Sequence, residues 1–354
     1  MNRSAARNFD RVLGWTEIGV LPDNVIRHGI RRLLKGRLEE IGAGDCERIA
    51  ADRERFIAMM EASEIAPVPE LANDQHYEVP AAFFKEVLGH RLKYSCGYWV
   101  DDAESLDDAE SAALSLAAER AELLDGQAVL DLGCGWGSFT LWGAERFPNS
   151  HFTAVSNSRS QRDHIVTAAA RRDLKNVTVL TRDMNEFEPG RRFDRIVSIE
   201  MFEHMRNYGR ILERISHWLN PGGRFFMHIF CHRSAPYEFT DEGASDWMAR
   251  HFFSGGIMPS DDLPARFQDH LRLMTQWRWD GRHYEKTANA WLRNMDERKA
   301  AIMPMINATY GAEHASQWWM RWRIFFMACA ELFGYANGQE WWVSHYLFEP
   351  KSSN

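Results

Sequence analysis

The stretch V-L-D-L-G-C-G-W-G-S-F spans residues 129–139. Its V-L-D-L opening reads as a short buried strand. The glycines at 133, 135 and 137 then permit a tight turn in which a ligand can lie against bare backbone. Helical spacing resumes over Ser138–Arg146, so the loop joins a strand to a helix. The pattern D-x-G-x-G-x-G lacks the third-glycine register of a dinucleotide loop, and without G-K-[ST] it is not a P-loop. In isolation such a loop is equally a turn with no ligand. Set in an alternating chain, it points to a small-molecule site.

Outward from this loop, short apolar runs alternate with helical stretches. Strands are expected at Ala128–Leu132, Phe152–Ser156, Val177–Thr181, Phe193–Ile199 and Arg224–Phe230. Helices are expected at Leu106–Leu124, Ser138–Arg146, Ser160–Arg172 and Glu203–Leu219. Asp125-Gly126 reads as a helix stop, and Asn220-Pro-Gly-Gly223 as the break before the next strand. This order predicts an α/β fold: an open, mostly parallel sheet with helices on both faces. Ligands in such sheets bind at the carboxyl ends of the strands. Residues 235–340 interrupt the sheet with aromatic-rich, mainly helical sequence. Leu271–Trp279 and Trp341–Phe348 complete seven strands. Residues 1–75 are helical and charged. Val25–Ile41 carries Arg27, Arg31, Arg32, Lys35 and Arg37 between apolar residues, as a docked helix or one lying on a membrane surface would. A-P-V-P-E (66–70) punctuates the chain after it. The expected organisation is a helical segment over 1–122 covering the active site and a core over 123–354, with a helical cap inserted at about 235–340.

Composition narrows the partners. A chain of 354 residues with 45% hydrophobic and 26% charged residues can bury a large globular core. A net charge of −8 argues against nucleic acid and against constant residence on anionic membranes. No window reaches the apolar length of a membrane span, so no stable membrane insertion is expected. The first ten residues have no apolar signal core. Five scattered cysteines without a C-x-x-C pair read as reduced thiols, and the chain as cytoplasmic. The 14 Trp and 21 Phe crowd toward the C-terminus.

The chemistry-bearing stretch is E-M-F-E-H-M (200–205), directly after the apolar run Phe193–Ile199. Two carboxylates and an imidazole at a strand end are costly to bury and suit proton removal from an acceptor. His204 titrates near the working pH, Glu203 accepts a hydrogen bond or orients the imidazole, and Glu200 adds negative charge for a cationic product. Alternatively, Glu203 serves only a helix dipole. His228, Cys231 and His232 fit no zinc spacing, and no metal is expected.

Taken in order, K-Y-S-C-G-Y-W (93–99), D-L-G-C-G-W-G, S-x-x-Q (158–161), E-M-F-E-H-M and H-Y (283–284) resemble the cyclopropane fatty acid synthase family of S-adenosylmethionine-dependent methyltransferases. Q-H-Y-E-V-P (75–80), L-K-Y-S-C, A-T-Y-G and A-E-L-F-G-Y resemble more closely its coclaurine-type alkaloid N-methyltransferases. The resemblance covers almost the whole chain. It implies a Rossmann-like class I methyltransferase fold, with S-adenosyl-L-methionine as cofactor and S-adenosyl-L-homocysteine as product. Carried over, the cofactor-binding residues are Tyr94, Ser95, Asp131, Gly133, Gly135, Asn157, Gln161, Asp183, Met184 and Ile199. Asn157 replaces the usual acid on the ribose, and Asp183 either flanks the adenine or is a turn residue. The catalytic residues are Glu203, His204 and Glu200. On the substrate side stand Tyr77, Glu78, His228, Tyr284, Trp322 and Phe325. The last two lie one turn apart in W-W-M-R-W-R-I-F-F (318–326), a stripe that suits either a pocket or a core; Arg321 stands where those enzymes tend to have Tyr.

The lipid-modifying relatives hold bicarbonate as base through residues matching Cys96, Glu203, His228 and Tyr284, and usually have a small residue where Glu200 stands. The function expected is therefore methyl transfer to the nitrogen of a small aromatic or alkaloid-like amine. The alternative is methylation of unsaturated phospholipid chains with bicarbonate. A non-catalytic cofactor-binding protein is the third reading, and the intact Glu203 and His204 stand against it. A homodimer is left open.

Overall fold

The computed structural model describes residues 11–67, 80–100, 103–241 and 246–351. In chain order the helices are α1 (Asp23–Glu40), α2 (Cys46–Glu61), α3 (Ala81–Val87) and α4 (Leu106–Arg120) before the first strand. Then come β1 (Ala128–Leu132), α5 (Ser138–Arg146), β2 (His151–Ser156), α6 (Arg159–Arg171), β3 (Val177–Thr181) and β4 (Phe193–Ile199). A 3₁₀ turn (Phe202–His204), α7 (Tyr208–Trp218) and β5 (Leu219–His232) follow. The remainder comprises β6 (Tyr237–Glu238), α8 (Trp247–Phe252), β7 (Ile257–Met258), β8 (Leu271–Trp279), α9 (Arg282–Glu297), α10 (Lys299–Tyr310), α11 (Ala315–Gly334) and β9 (Trp341–Pro350).

Seven strands form one sheet in the order β3-β2-β1-β4-β5-β9-β8. The first five are parallel, and β9 runs antiparallel between β5 and β8. The chain winds outward from β1 to β3 and then returns to place β4 on the other side of β1. The carboxyl ends of β1 and β4 therefore border the switch point where such folds bind ligands. This is a Rossmann-like class I methyltransferase fold.

Three local expectations are corrected. Helix α4 ends at Arg120, five residues before Asp125, because Glu122 takes a left-handed φ of 54°. Residues 203–219 are not one helix. Asn207 caps α7 by accepting from the Arg210 N–H at 3.0 Å, and its amide donates to the carbonyls of Glu61 and Ser63. Those long-range bonds fix the helix start and leave Phe202–His204 as a separate turn. The Asn220-Pro-Gly-Gly223 break is absorbed into the start of β5, with a register shift between Phe193 and Arg195 on the partner strand.

Helix α1 is docked. Ile26 is buried, Arg27 and Arg31 pair with Glu331 of α11 at 2.9 and 2.5 Å, and Asp23 receives Arg323 at 2.8 Å. Of its basic residues, Arg27, Arg31 and Arg37 meet protein carboxylates, Arg37 reaching Asp246 at 3.2 Å. Among the described residues no helix is long and apolar enough to cross a membrane.

Candidate active site

The loop after β1 opens a cleft of ≈ 540 Å³, including space open to solvent. Gly133 has φ +74°, and a Cβ there would lie 2.6 Å from Met201 Cγ. Gly135 has φ +53° with nothing within 4 Å of its added Cβ, so bare backbone faces open space. Asp131 is buried beneath the loop and accepts from Thr140 Oγ1 at 2.6 Å. Burial pushes its carboxyl up to about 6 against the pull of that hydrogen bond. It ties the loop to α5.

Tyr94, Ser95, Asp131, Gly133, Gly135, Gln161, Ile199 and Glu200 all line the cleft, together with Lys93, Cys134 and Trp136. Gln161 accepts from Ser156 Oγ at 2.5 Å, and its buried Nε2 has no partner among the described residues. A buried amide donor beside an open glycine backbone fits a polar ligand such as S-adenosylmethionine. Asn157 follows the end of β2, and Asp183-Met184 follows β3; neither belongs to this lining. The Asp183 carboxylate accepts from the Asn185 N–H at 2.8 Å, as a turn residue does, and Met184 is buried. Tyr77 and Glu78 lie outside the described residues.

At the end of β4 the chain turns sharply. Glu200 adopts a left-handed φ of 50°, a strained conformation for a non-glycine residue and one that re-aims its side chain. Its Oε1 accepts from the Cys96 N–H at 2.9 Å and lies 3.2 Å from His228 Nε2, while Oε2 accepts from Tyr284 Oη at 2.6 Å. Burial raises this carboxyl, and the charge of Lys93 and these donors pull it back. Lys93 is itself buried, with Nζ on Ser95 Oγ at 2.5 Å and the Cys96 carbonyl at 2.7 Å.

Glu203 is fully buried. Its Oε1 accepts from the Phe230 N–H of β5 at 2.7 Å, and Oε2 has no partner among the described residues. It also stands in the first turn of the short 3₁₀ helix Phe202–His204. Burial and the neighbouring charge of Glu200 hold its carboxyl well above the usual range. The His204 ring packs at a tilt against Phe253, centroids 4.6 Å apart, and burial takes its pKa down to about 4 against the attraction of Glu200. The expectation that it titrates near the working pH fails, because a buried imidazolium loses its hydration.

His228 and Tyr284 are both brought onto Glu200, and the Tyr284 ring stacks on Phe333 at 4.2 Å. Trp322 lies fully buried against Phe83 and Phe252, at 4.8 and 5.0 Å, and Phe325 stacks on Phe252 at 4.4 Å. Arg321 is engaged with Glu17 at 3.0 Å. Two groups escaped the sequence reading. Lys93 stands beside Tyr94 in the quoted K-Y-S-C motif, and that neighbour was a usable signal. His345 is joined to His228 only by the β5–β9 register. Residues 117 apart carry no such signal.

The model of the mycolic acid cyclopropane synthetase family matches residues 69–341. The chain belongs to that family. It is 37% identical to (S)-coclaurine N-methyltransferase of Papaver somniferum over 95% of this chain and 96% of that protein. A crystal structure of coclaurine N-methyltransferase bound to N-methylheliamine and S-adenosylhomocysteine superposes with a TM-score of 0.92 at 37% identity, covering 96% of this chain and 99% of that one. Cyclopropane-fatty-acyl-phospholipid synthase of Escherichia coli (strain K12) is 30% identical over 77% of this chain and 67% of its own length. This family member is an S-adenosylmethionine-dependent methyltransferase of the N-methyltransferase branch.

Proposed function

We propose that this enzyme methylates the nitrogen of a small aromatic amine of the tetrahydroisoquinoline kind, a reading supported by its likeness to the coclaurine N-methyltransferase structure that holds the N-methylated amine N-methylheliamine. One observation carries the reading. The Cys96 N–H, His228 Nε2 and Tyr284 Oη, three of the groups expected to hold bicarbonate in lipid-modifying relatives, already surround the Glu200 carboxylate. A tethered anion in that place repels a second one and attracts a cation. An amine suits it, and a bicarbonate-assisted alkene does not.

Lys93, Tyr94, Ser95, Gly133, Gly135, Gln161 and Ile199 would hold the cofactor. Asn157, Asp183 and Met184 would approach its adenosine portion from the strand ends. Bound there, S-adenosylmethionine supplies an electrophilic sulfonium methyl. The acceptor must present a lone pair, yet an alkylamine with a pKa of about 10 is neutral only once in roughly a thousand molecules at pH 7. Glu203 Oε2, a buried carboxylate oxygen without a partner among the described residues, is suited to take that proton. Its raised carboxyl narrows the gap to the amine. His204, neutral at working pH, positions the amine by hydrogen bonding and does not store its proton. The Glu200 carboxylate stabilises the positive charge that nitrogen gains. The helices of residues 1–122 and the cap at about 235–340 would exclude water from the acceptor.

The test is incubation with S-adenosylmethionine and, separately, tetrahydroisoquinolines, phenethylamines and phospholipid vesicles, read by mass shift. A mass gain of one methyl on an amine is expected. Methylated or cyclopropanated acyl chains with unmodified amines would select the lipid reading.

A further inference from the structure

Glu200 is the inner end of a buried chain of hydrogen bonds that no functional assignment above explains. Arg120 Nη1 lies 2.9 Å from His345 Nδ1, His345 Nε2 lies 2.9 Å from His228 Nδ1, and His228 Nε2 lies 3.2 Å from Glu200 Oε1. Both imidazoles are buried, at 0% and 1% exposure, and they face each other across the β5–β9 pairing. Arg120 caps the outer end, its guanidinium held over the rings of Trp277 and Trp279 at 5.0 and 5.9 Å.

The polarity of the chain follows from donor counting. A guanidinium has only donors, so His345 Nδ1 must accept. A neutral imidazole carries one proton, which then sits on Nε2 of His345 and makes His228 Nδ1 an acceptor in turn. The His228 proton is thereby forced onto Nε2, pointing at Glu200. Burial keeps both rings neutral, so the argument applies to single-proton tautomers. With the opposite polarity, Glu200 would meet a lone pair and would have to be protonated to satisfy it.

We propose that Arg120 and His345 are positioning residues that fix the tautomers of this chain and so hold Glu200 as an anion toward the acceptor. The proposal rests on the reading of Glu200 given above. Other groups around Glu200 are Lys93, Cys96, Tyr284, His204, Glu203 and Cys329. Lys93 and Tyr284 also favour the anion, Glu203 opposes it, and none of them orders the two imidazoles. Tyr98 and Glu119 face Arg120 and support its charge.

The test uses the full-length enzyme, S-adenosylmethionine and a tetrahydroisoquinoline. Ring-nitrogen NMR reads the tautomers directly, and His228 and His345 are both expected as Nε2–H. Arg120→Met, at a half-buried position, removes the terminal donor. His345→Phe breaks the chain at its centre. Both should raise the acid limb of kcat/KM by about 1 pH unit, a tenfold loss below the limb. Arg120→Lys keeps a donor, and His345→Gln presents an acceptor to Arg120 and a donor to His228. Both should retain the wild-type limb. If His345→Phe does not fold, the Arg120 pair decides. An Nδ1–H tautomer at His345, or equal shifts in Arg120→Met and Arg120→Lys, overturns the proposal. A Glu200→Gln enzyme with wild-type rates, while the tautomers are as stated, overturns the reading of Glu200 instead.

Discussion

Replacing Glu203 by Gln separates catalysis from stability at a single atom pair. The amide oxygen can keep the bond from the Phe230 N–H at 2.7 Å, so the backbone of β5 is undisturbed. The group lost is the basic Oε2, and a general base is typically worth about 10²–10⁴-fold, so kcat/KM should fall by that range. Cofactor affinity should not change, because Glu203 is absent from the cleft lining. Stability should move the other way as pH rises. The folded carboxyl of Glu203 lies well above its ordinary 4.5, so its protonated form is the one the fold favours. Its contribution is then fully present below about 4.5 and is lost as pH rises through the folded value. A neutral Gln suffers no such loss. Leaving a buried polar oxygen unsatisfied costs about 1–3 kcal/mol, and more when it is charged, so ~2 kcal/mol is a conservative value. Unfolding entropy of about 2.1 cal/mol/K per residue over 354 residues gives ~0.7 kcal/mol per degree. The Tm of Glu203→Gln relative to wild type should therefore rise by about 3 °C between acid and alkaline buffer, read by calorimetry alongside turnover. Wild-type kcat/KM, or a Tm difference that does not vary with pH, refutes the assignment.

Tyr284→Phe removes one donor from Glu200 while the ring still stacks on Phe333, so steady-state kcat should fall by about 5–30-fold and the Tm by about 3 °C. His204→Gln should flatten the acid side of the stability curve. The folded imidazole lies at about 4 against 6.5 unfolded, so wild type loses stability as pH falls between those values and the variant does not. Denaturant titrations across that window check it. Gly135→Ala strains a residue at φ +53° by about 1 kcal/mol and adds a methyl on the open side of the loop. Calorimetric affinity for S-adenosylhomocysteine should drop at least about tenfold while the Tm falls only slightly.

The fold was legible because periodicity is a local property. The strands at Ala128–Leu132 and Phe193–Ile199 and helix α5 were read with their observed bounds, and the glycine loop was read as a ligand turn. Errors arose where distant contacts decided. Asn207 starts α7 because its amide reaches the carbonyls of Glu61 and Ser63, about 145 residues away in sequence, and such tertiary contacts override local propensity. The site was legible as a list of residues from E-M-F-E-H-M and K-Y-S-C. Their arrangement was not.

Residue types and spacing by themselves determined the alternating α/β class, the glycine loop, and the presence of two carboxylates and an imidazole at one strand end. Those features are written in neighbouring residues. Only the tertiary structure decided that Glu200 is wrapped by Cys96, His228 and Tyr284, that Glu203 leans on Phe230, and that burial leaves His204 uncharged. Desolvation and hydrogen-bond partnership depend on which segments the fold brings together, and strand register alone joins His345 to His228.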